Sequence, residues 1–594
     1  MAASDALMEG GQATFEKAGD KVSFELEPKS VGLTKEQLEK YRNDPVWKPV
    51  RTVLFVVFWL AWIAMFVTAI AIVVFSPKCA EKQKPEWWQT KISYQLLTSN
   101  FHDSNGDGIG DFKGVTAKID LLRKLGVTTI YPTPILQTSK DNFYDSYDVV
   151  DHLKVDGRYG TEEDFKELIE AAHKRDMFLV MDLPVSSVSI SHPWFKESKW
   201  EYFVTVNNNQ TKTSNNFYSD PSLKDKKYLA YPTKDFPVLN WSNGRVHNVI
   251  MDSVKKFLHL GVDGFHIDHV SQLAFNADGT TNVNEALGRL KSITSSIKEY
   301  VNEHDELKEK KIVLFSSLRD LEDIHAQARE TGDLHYVIDS DFAALNETNC
   351  RSGVAVCVHE ALDKAYQRHQ TDGYVPYWQF SNTDSNRLAS RFSPENANLL
   401  NFIQLTLPGA ISLYYGQELG LKNNDKNGQK GVMQWTPRAN DHHGFTSDSF
   451  KDALFFGESE DAADSDNYQT QYGLADSGLK LYQKLAKLRQ REAALLVGET
   501  VRDEIKGDVI SYSRYEMVNG TAVGPVFTAA FNFGDKPASI NMTSLGHIPK
   551  GRDLGKTEVV AFTSGITDLK PRDKVSYFEQ MLILPAKQAI LLKL

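Results

Sequence analysis

The feature that most constrains what this chain can fold into is an apolar run near its N-terminus. Residues 53–75 read VLFVVFWLAWIAMFVTAIAIVVF and contain no charged side chain. A bilayer core about 30 Å thick needs roughly 20 apolar residues in a helix. A cleaved signal peptide has a shorter apolar region that lies nearer the N-terminus. We therefore predict a transmembrane signal-anchor helix over residues 53–75, and the alternative is a buried core helix.

Composition narrows the class of protein. The 594 residues are 41% hydrophobic and 24% charged, and their net charge is −11. This length allows several domains. The negative charge and the lack of a long basic run argue against a general nucleic-acid binder.

Glycosylation sequons indicate on which side of the membrane the larger part of the chain lies. All the N-x-S/T triplets follow the apolar run, whereas the basic residues on its two sides differ too little to decide orientation. We predict that residues 1–52 are cytoplasmic and residues 76–594 extracellular, as in a single-pass type II plasma-membrane protein. The predicted glycosylation sites are Asn209, Asn240, Asn346, Asn519 and Asn541.

The cysteines divide into a pair and a single residue. Cys350 and Cys357 are close in sequence and can close a small extracellular loop. Cys79 follows the apolar run and is then left over. An odd cysteine in an oxidising compartment indicates an intermolecular disulfide or a free thiol.

Beyond a neck at residues 76–92, strand-like and helix-like segments alternate. The helical segments carry one apolar face, and Thr161 with Asp164 forms a variant capping box. This alternation predicts an α/β fold, a parallel (β/α)8 TIM barrel, over residues 93–492. The eight strand-like runs are ISYQL, VTTIYPT, MFLVMDLP, VDGFHID, KIVLFSS, HYVIDS, YWQFSN and ISLYYG.

Two segments depart from this alternation. Residues 185–245 are polar and rich in aromatic side chains, and we predict a small subdomain inserted on one barrel loop. Residues 493–594 contain short runs of period two, which predict a C-terminal antiparallel β-sandwich.

Several specific motifs occur along the chain, among them DSNGDGIGDFKGV, FYDSYD, HPWF, GVDGFHID and LPGAISLYYGQELG. With them, the chain from Tyr94 to its C-terminus resembles the α-glucosidase branch of the α-amylase superfamily. The stretch GLTKEQLEKYRNDPVWKPVR, the apolar run and SPKCAEKQKPEWWQ resemble a narrower family, the heavy subunits of heteromeric amino-acid transporters. That resemblance implies a polytopic light subunit, linked through Cys79.

The resemblance also assigns the residues of a glycosidase site. Retaining hydrolysis needs two carboxyl groups about 5–5.5 Å apart, one as nucleophile and one as acid. By resemblance Asp268 occupies the nucleophile position and Asp384 that of a transition-state carboxylate, while Ser317 stands where the acid belongs. A serine hydroxyl cannot act as a tuned general acid. We therefore interpret Asp268 and Asp384 as vestigial and predict no catalytic residue.

Other positions depart from the family pattern in the same direction. His266 replaces an arginine that supports the nucleophile, and a histidine carries little charge at neutral pH. Ser186 and Ser187 replace an Asn-His pair. The sugar-platform pair Tyr144 and Asp145 is retained. The nearby carboxylates Asp320 and Glu322 would need a rearranged loop to act as the acid.

A loop after the first strand resembles the calcium loop of the α-glucosidase branch. Oxygen-bearing groups recur at alternate positions, as Ca²⁺ prefers. We predict a structural Ca²⁺ there, and the alternative is a polar turn without metal. The predicted ligands are Asp103, Asn105, Asp107, Ile109 through its carbonyl, and Asp111.

Small residues recur on one face of the apolar run. They let helices approach closely in lipid, so we expect this face to pack against the light subunit; the alternative is lipid exposure with chance alanines. The face consists of Ala61, Ala64, Thr68 and Ala71.

Three functional classes compete for this chain. We predict a non-catalytic ancillary subunit that delivers and stabilises an amino-acid transporter at the cell surface. A membrane-anchored α-glucosidase is the alternative. An adhesion or receptor protein is the third class, and no sequence feature singles out a surface for it.

Overall fold

The computed structural model describes most of the chain, in two compact units, Met1–Lys84 and Pro85–Leu594. The described residues are 35–42, 44–75, 85–139, 146–208, 216–276, 278–318, 325–368, 376–424, 426–437, 441–447, 466–518, 520–566, 568–577 and 581–594.

The N-terminal unit contains the helices Lys35–Arg42 and Trp47–Phe75. The stretch Trp47–Ile72 is 26 residues long with a mean hydropathy of 2.6, enough to cross a membrane by length and composition. The helix begins earlier than the predicted 53–75. Pro49 lies in its first turn, where a proline costs no hydrogen bond.

Eight parallel strands close into a barrel, as the alternating pattern predicts. Each strand pairs with its neighbours, and the last, β8, returns to β1. The strands are β1 Ile92–Leu96, β2 Thr129–Pro132, β3 Phe178–Leu183, β4 Gly264–Ile267, β5 Val313–Ser316, β6 Tyr336–Asp339, β7 Tyr377–Gln379 and β8 Ala410–Tyr414.

Helices between the strands pack their apolar faces on the barrel. The predicted capping box forms at Thr161, whose side chain accepts from the N–H of Asp164 and whose own N–H donates to that carboxylate. Gly126 ends one helix at φ 92°, a conformation that favours glycine. The longer helices of this unit are Phe112–Leu125, Glu162–His173, Gly244–Leu260, Val283–Glu303, His325–Thr331, Val354–Arg368, Pro394–Thr406 and Gly478–Arg491.

The residues just before β1 pack against the end of the barrel where the strands begin. Trp87 stacks on Phe178 of β3 with ring centroids 3.9 Å apart and donates its indole N–H to the carbonyl of Lys311. Trp88 packs edge-on against His335, 4.8 Å between ring centroids. Both tryptophans pack against a cluster of buried side chains that belong to the barrel strands, so this part of the chain is anchored on the barrel.

The two segments that departed from the alternation form antiparallel sheets. The inserted subdomain has three strands, Thr205–Asn207, Phe217–Tyr218 and Lys226–Leu229. In the C-terminal domain a six-stranded sheet and a two-stranded sheet share one apolar core. In order across the sheets, its strands are Glu499–Arg502, Val509–Val518, Thr521–Asn532, Gln588–Lys593, Thr557–Phe562 and Lys574–Val575, then Ala538–Ile540 and Leu582–Leu584.

Candidate functional site

Polar side chains gather at the carboxyl ends of the barrel strands, the edge where barrel enzymes place their catalytic groups. Asp182 lies near the end of β3, His266 within β4, and Asp268 directly after it. Ser316 ends β5 and Ser317 follows. All of these side chains are buried, with exposed fractions of 5% or less.

Asp268 is enclosed by hydrogen-bond donors. Its Oδ1 accepts a bond of 2.5 Å from the Ser317 hydroxyl and one of 2.8 Å from the backbone N–H of His269. The Tyr147 hydroxyl lies 3.5 Å from its Oδ2. Only 4% of Asp268 is exposed, so a buried carboxylate is held here by its neighbours.

His266 pairs with Asp182 on the adjacent strand. Its Nδ1 lies 3.0 Å from Asp182 Oδ1, and Tyr147 donates to Asp182 Oδ2 at 2.7 Å. Burial, with the charges of Asp182 and Asp268, holds the pKa of Tyr147 well above its usual range. Tyr147 therefore keeps its proton and links the two carboxylates.

Two serine hydroxyls lie at the end of β5, those of Ser316 and Ser317. Ser317 donates a hydrogen bond to Asp268, whereas the buried Ser316 hydroxyl has no hydrogen-bond partner in the part of the chain that the structure describes. Leu318 follows with φ 44°. Asp320 and Glu322, the nearest carboxylates along the chain, lie outside the described residues.

A cavity of about 140 Å³ opens above this cluster. Asp384 lies in its exposed rim and accepts from the hydroxyl of Thr383 at 3.2 Å. Tyr144 and Asp145 lie outside the described residues. Further residues that line the cavity are Ser186, Ser187, Tyr147, Tyr231, His269 and Gln272.

The sequence reasoning missed three side chains of the site: Asp182, Tyr147 and Gln272. Asp182 had a signal, because a carboxylate at the end of the strand-like run MFLVMDLP faces the catalytic edge of a barrel. Tyr147 lies in a loop, within the motif FYDSYD, whereas Gln272 ends a short 3-10 helix after β4. The amide of Gln272 is 3% exposed and has no hydrogen-bond partner among the described residues. No local pattern marks Gln272.

The calcium-like loop is held by its own hydrogen bonds. Asp103 accepts from the N–H groups of Gly106 and Gly108, and Asp111 caps the helix Phe112–Leu125 by accepting from the N–H of Gly114. Burial raises the pKa of Asp107, and the charges of Asp103 and Asp111 add to the rise. Among the described residues, no group of three or more His, Cys, Asp or Glu side chains is arranged to hold a metal.

The remaining predicted sites are distributed over both units. The sulfurs of Cys350 and Cys357 are bonded, with Cα atoms 5.6 Å apart. Cys79, Asn209 and Asn519 lie outside the described residues.

Two of the three described sequon asparagines differ clearly in exposure. Asn541 is exposed, whereas Asn240 is partly buried and donates its side-chain amide to the carbonyl of Glu201. Asn346 is also partly buried. On the apolar helix the small-residue face is exposed except for the partly buried Ala71, and the Thr68 hydroxyl donates to the carbonyl of Ala64 at 2.7 Å.

Two family models match the chain side by side. The alpha-amylase catalytic domain matches residues 95–498, and the solute carrier family 3 member 2 N-terminus matches residues 19–94. Together they cover the apolar helix, the neck and the barrel.

Relatives of both kinds are found. The chain is 28% identical over 571 residues to the amino acid transporter heavy chain SLC3A1 of Rattus norvegicus, covering 86% of this chain and 80% of that protein. The human counterpart is 26% identical over 559 residues, 85% and 78% of the two chains. An oligo-1,6-glucosidase of Bacillus cereus is 28% identical over 375 residues, 57% and 66%.

Solved structures share the fold at lower identity. An isomaltulose synthase variant from Erwinia rhapontici in complex with sucrose superposes with a TM-score of 0.69 at 22% identity, covering 86% of this chain and all of that one. An alpha-glucosyl transfer enzyme has the same TM-score at 23% identity and the same coverage.

The fold and the site define an amylase-type barrel whose N-terminal segment can span a membrane. The chain belongs to the alpha-amylase family. It is also similar over most of its length to amino acid transporter heavy chains, and its residues 19–94 match the N-terminal model of solute carrier family 3 member 2.

Proposed function

We propose that this chain is the non-catalytic heavy subunit of a heteromeric amino-acid transporter, needed for the surface delivery and stability of a polytopic light subunit. The observation that carries the proposal is the joining of a heavy-chain N-terminal module to an amylase barrel in one chain. The relatives that match most of the chain are named amino acid transporter heavy chains.

A separate subunit is needed because the apolar helix has no group that couples to a transported substrate. Residues 53–75 contain no ionisable side chain, and intramembrane coupling in transporters uses such groups. The small-residue face of the helix is the surface we assign to the light subunit. The hydroxyl of Thr68 is already bonded within the helix, so this face can pack closely in lipid.

We propose that Cys79 forms the covalent link to the light subunit. The pairing of Cys350 with Cys357 leaves it as the remaining cysteine of the chain, next to the apolar helix where a membrane partner lies within reach.

The test is non-reducing electrophoresis of the chain immunoprecipitated from native membranes, followed by identification of whatever reduction releases. Cys79→Ser should abolish the covalent complex. The matched control is Cys350→Ser with Cys357→Ser, which should keep it. A covalent complex that persists in Cys79→Ser contradicts the proposal.

We propose that the barrel does not hydrolyse glycosides. A proton donor works when its pKa lies near the working pH, and the Ser317 hydroxyl at the acid position is far outside that range. The Ser317 hydroxyl also donates a hydrogen bond to Oδ1 of Asp268. This bond occupies a carboxylate oxygen that would have to attack the sugar. Both partners of the retaining mechanism are therefore compromised.

We propose a type II orientation at the plasma membrane, with the barrel outside. The sequons and the Cys350–Cys357 disulfide support an oxidising, glycan-bearing side. Removal of N-glycans from surface-biotinylated protein should lower the apparent mass. Asn541→Gln should lose one glycan, because Asn541 is exposed.

We propose Ca²⁺ as a structural ion of the loop from Asp103 to Asp111. The loop carries the oxygen-bearing residues that Ca²⁺ prefers. Burial raises the pKa of Asp107, and the charges of Asp103 and Asp111 add to this rise. Calcium should raise the unfolding temperature of the full-length chain, and Asp107→Asn should reduce that rise. An unfolding temperature unaffected by Ca²⁺ or by a chelator would contradict it.

A membrane-anchored α-glucosidase is the second candidate, favoured by the glucosidase relatives and by the retained carboxylates Asp268 and Asp384. Glucose release from maltose by the purified chain, abolished by Asp268→Asn, would establish it and overturn the non-catalytic assignment.

A further inference from the structure

A second cleft lies where the barrel meets the C-terminal domain. It has a volume of about 170 Å³ and shares no lining residue with the cavity beside Asp384. One wall is the beginning of the helix Gly478–Arg491. The opposite wall is the loop after the strand Thr557–Phe562, with Thr563, Ser564 and Pro571.

The cleft carries a group of basic side chains. Lys480 and Lys484 line it, and the Lys480 ammonium lies 3.6 Å from the centroid of the Tyr472 ring. The Lys484 ammonium lies 5.9 Å from the Phe562 ring centroid and is partly buried. Burial and the nearby charge of Arg572 both lower the pKa of Lys484.

Among the residues that the structure describes, none forms an ion pair with Lys480, Lys484 or Arg572. Asp476 is the acidic residue in the lining, and it is exposed. Withdrawing an ammonium from water beside a second cation is unfavourable unless an opposite charge accompanies it. In a chain of net charge −11, a cleft whose basic side chains form no ion pair among the described residues is therefore a local exception.

Other groups around the cleft are suited to an anion. The exposed amide of Asn398 lines it and can donate a hydrogen bond. The first turn of the helix Gly478–Arg491 contains no acidic residue, so the partial positive charge of its end adds to that of the lysines. Arg572 directly follows the lining residue Pro571, is itself exposed, and lies near enough to Lys484 for its charge to act on that lysine.

We propose that this cleft binds a tetrahedral oxyanion, a sulfate or phosphate group, held by Lys484 and Arg572, with Lys480 positioned by the Tyr472 ring. The cleft admits a free anion or the ester group of a sulfated or phosphorylated sugar.

The test is titration calorimetry of the full-length chain in detergent with sodium sulfate and sodium phosphate, at ionic strength kept constant with sodium chloride. Lys484→Gln and Arg572→Gln should each raise the Kd about fivefold or more, equivalent to about 1 kcal/mol. Lys484→Arg should retain binding, because it keeps the charge. Lys487→Gln is the matched control, an exposed lysine of the same helix outside the cleft lining, and should leave the Kd within about twofold.

Each outcome decides the proposal. Absence of binding to either anion overturns it, as does an unchanged Kd in Lys484→Gln. An equal loss in Lys487→Gln also overturns it, because that result means diffuse attraction without a site. A sulfated disaccharide that binds more tightly than inorganic sulfate, through Lys484, identifies an ester as the ligand; equal affinities identify the free anion.

Discussion

The hydrogen bond from Ser317 to Asp268 permits a sharp test of how the barrel tolerates its buried carboxylate. In Ser317→Ala, Asp268 loses one of its donors while 96% of its surface remains buried. A hydrogen bond to a charged group contributes about 1.5–3 kcal/mol. Because the N–H of His269 still donates to the same oxygen, we expect a loss of about 2 kcal/mol.

The assay is thermal unfolding of the full-length chain, followed by tryptophan fluorescence. The entropy of unfolding is about 2 cal/mol/K per residue. For the unit Pro85–Leu594 this amounts to about 1 kcal/mol/K, so the unfolding temperature should fall by about 2 °C.

Ser316→Ala provides the control for this prediction. Ser316 is the preceding residue and the last of β5; it is also buried, and its hydroxyl has no hydrogen-bond partner among the residues that the structure describes. Its replacement should be neutral or slightly stabilising, because a buried unpaired hydroxyl is removed. If the two variants unfold at the same temperature, the hydroxyl of Ser317 does not stabilise the Asp268 carboxylate and the reasoning is refuted.

Three further predictions concern the same unit. Burial raises the pKa of Glu418 from 4.5 to about 7, so the stability that its protonated form contributes is lost as the pH rises through this range. The free energy of unfolding of Glu418→Gln, relative to that of the parent, should therefore rise by about 2–3 kcal/mol between pH 5 and 8. A stability difference that does not change with pH would contradict this. Burial lowers the pKa of His152 to about 4, so the unfolded chain takes up a proton at a higher pH than the folded one. The free energy of unfolding of the parent should therefore fall by about 2 kcal/mol between pH 7 and 5. Chemical denaturation of His152→Leu should not show this loss. Trp87→Ala should lower the free energy of unfolding by about 2–3 kcal/mol, because its ring is only partly buried. Lys311→Met removes an exposed ion pair with Glu86 and should lower it by less than about 1 kcal/mol.

The prediction of the barrel from sequence succeeded because its signals are local. All eight strand-like runs form barrel strands, and the capping box at Thr161 forms as read. The helix that can span a membrane begins at Trp47 instead of residue 53, because Lys48 and Arg51 end the charge-free run without ending the helix.

Only part of the site could be predicted from the sequence. Asp268 and Ser317 were found through resemblance to a known pattern. The link from Tyr147 to Asp182 and the pairing of His266 with Asp182 were not. These contacts join loops and strands that are far apart in the chain, and no periodicity or local propensity encodes them.

The sequence by itself determined the apolar helix, the order of the elements and the residue types at the strand ends, since each depends on neighbours within a few positions. Only the tertiary structure decided which groups meet. Closure of the barrel brings Ser317 to Asp268 across 49 residues and Tyr147 to Asp268 across 121. Asp268, which the sequence comparison places at a nucleophile position, is thereby buried among hydrogen-bond donors. These donors stabilise its carboxylate within the protein.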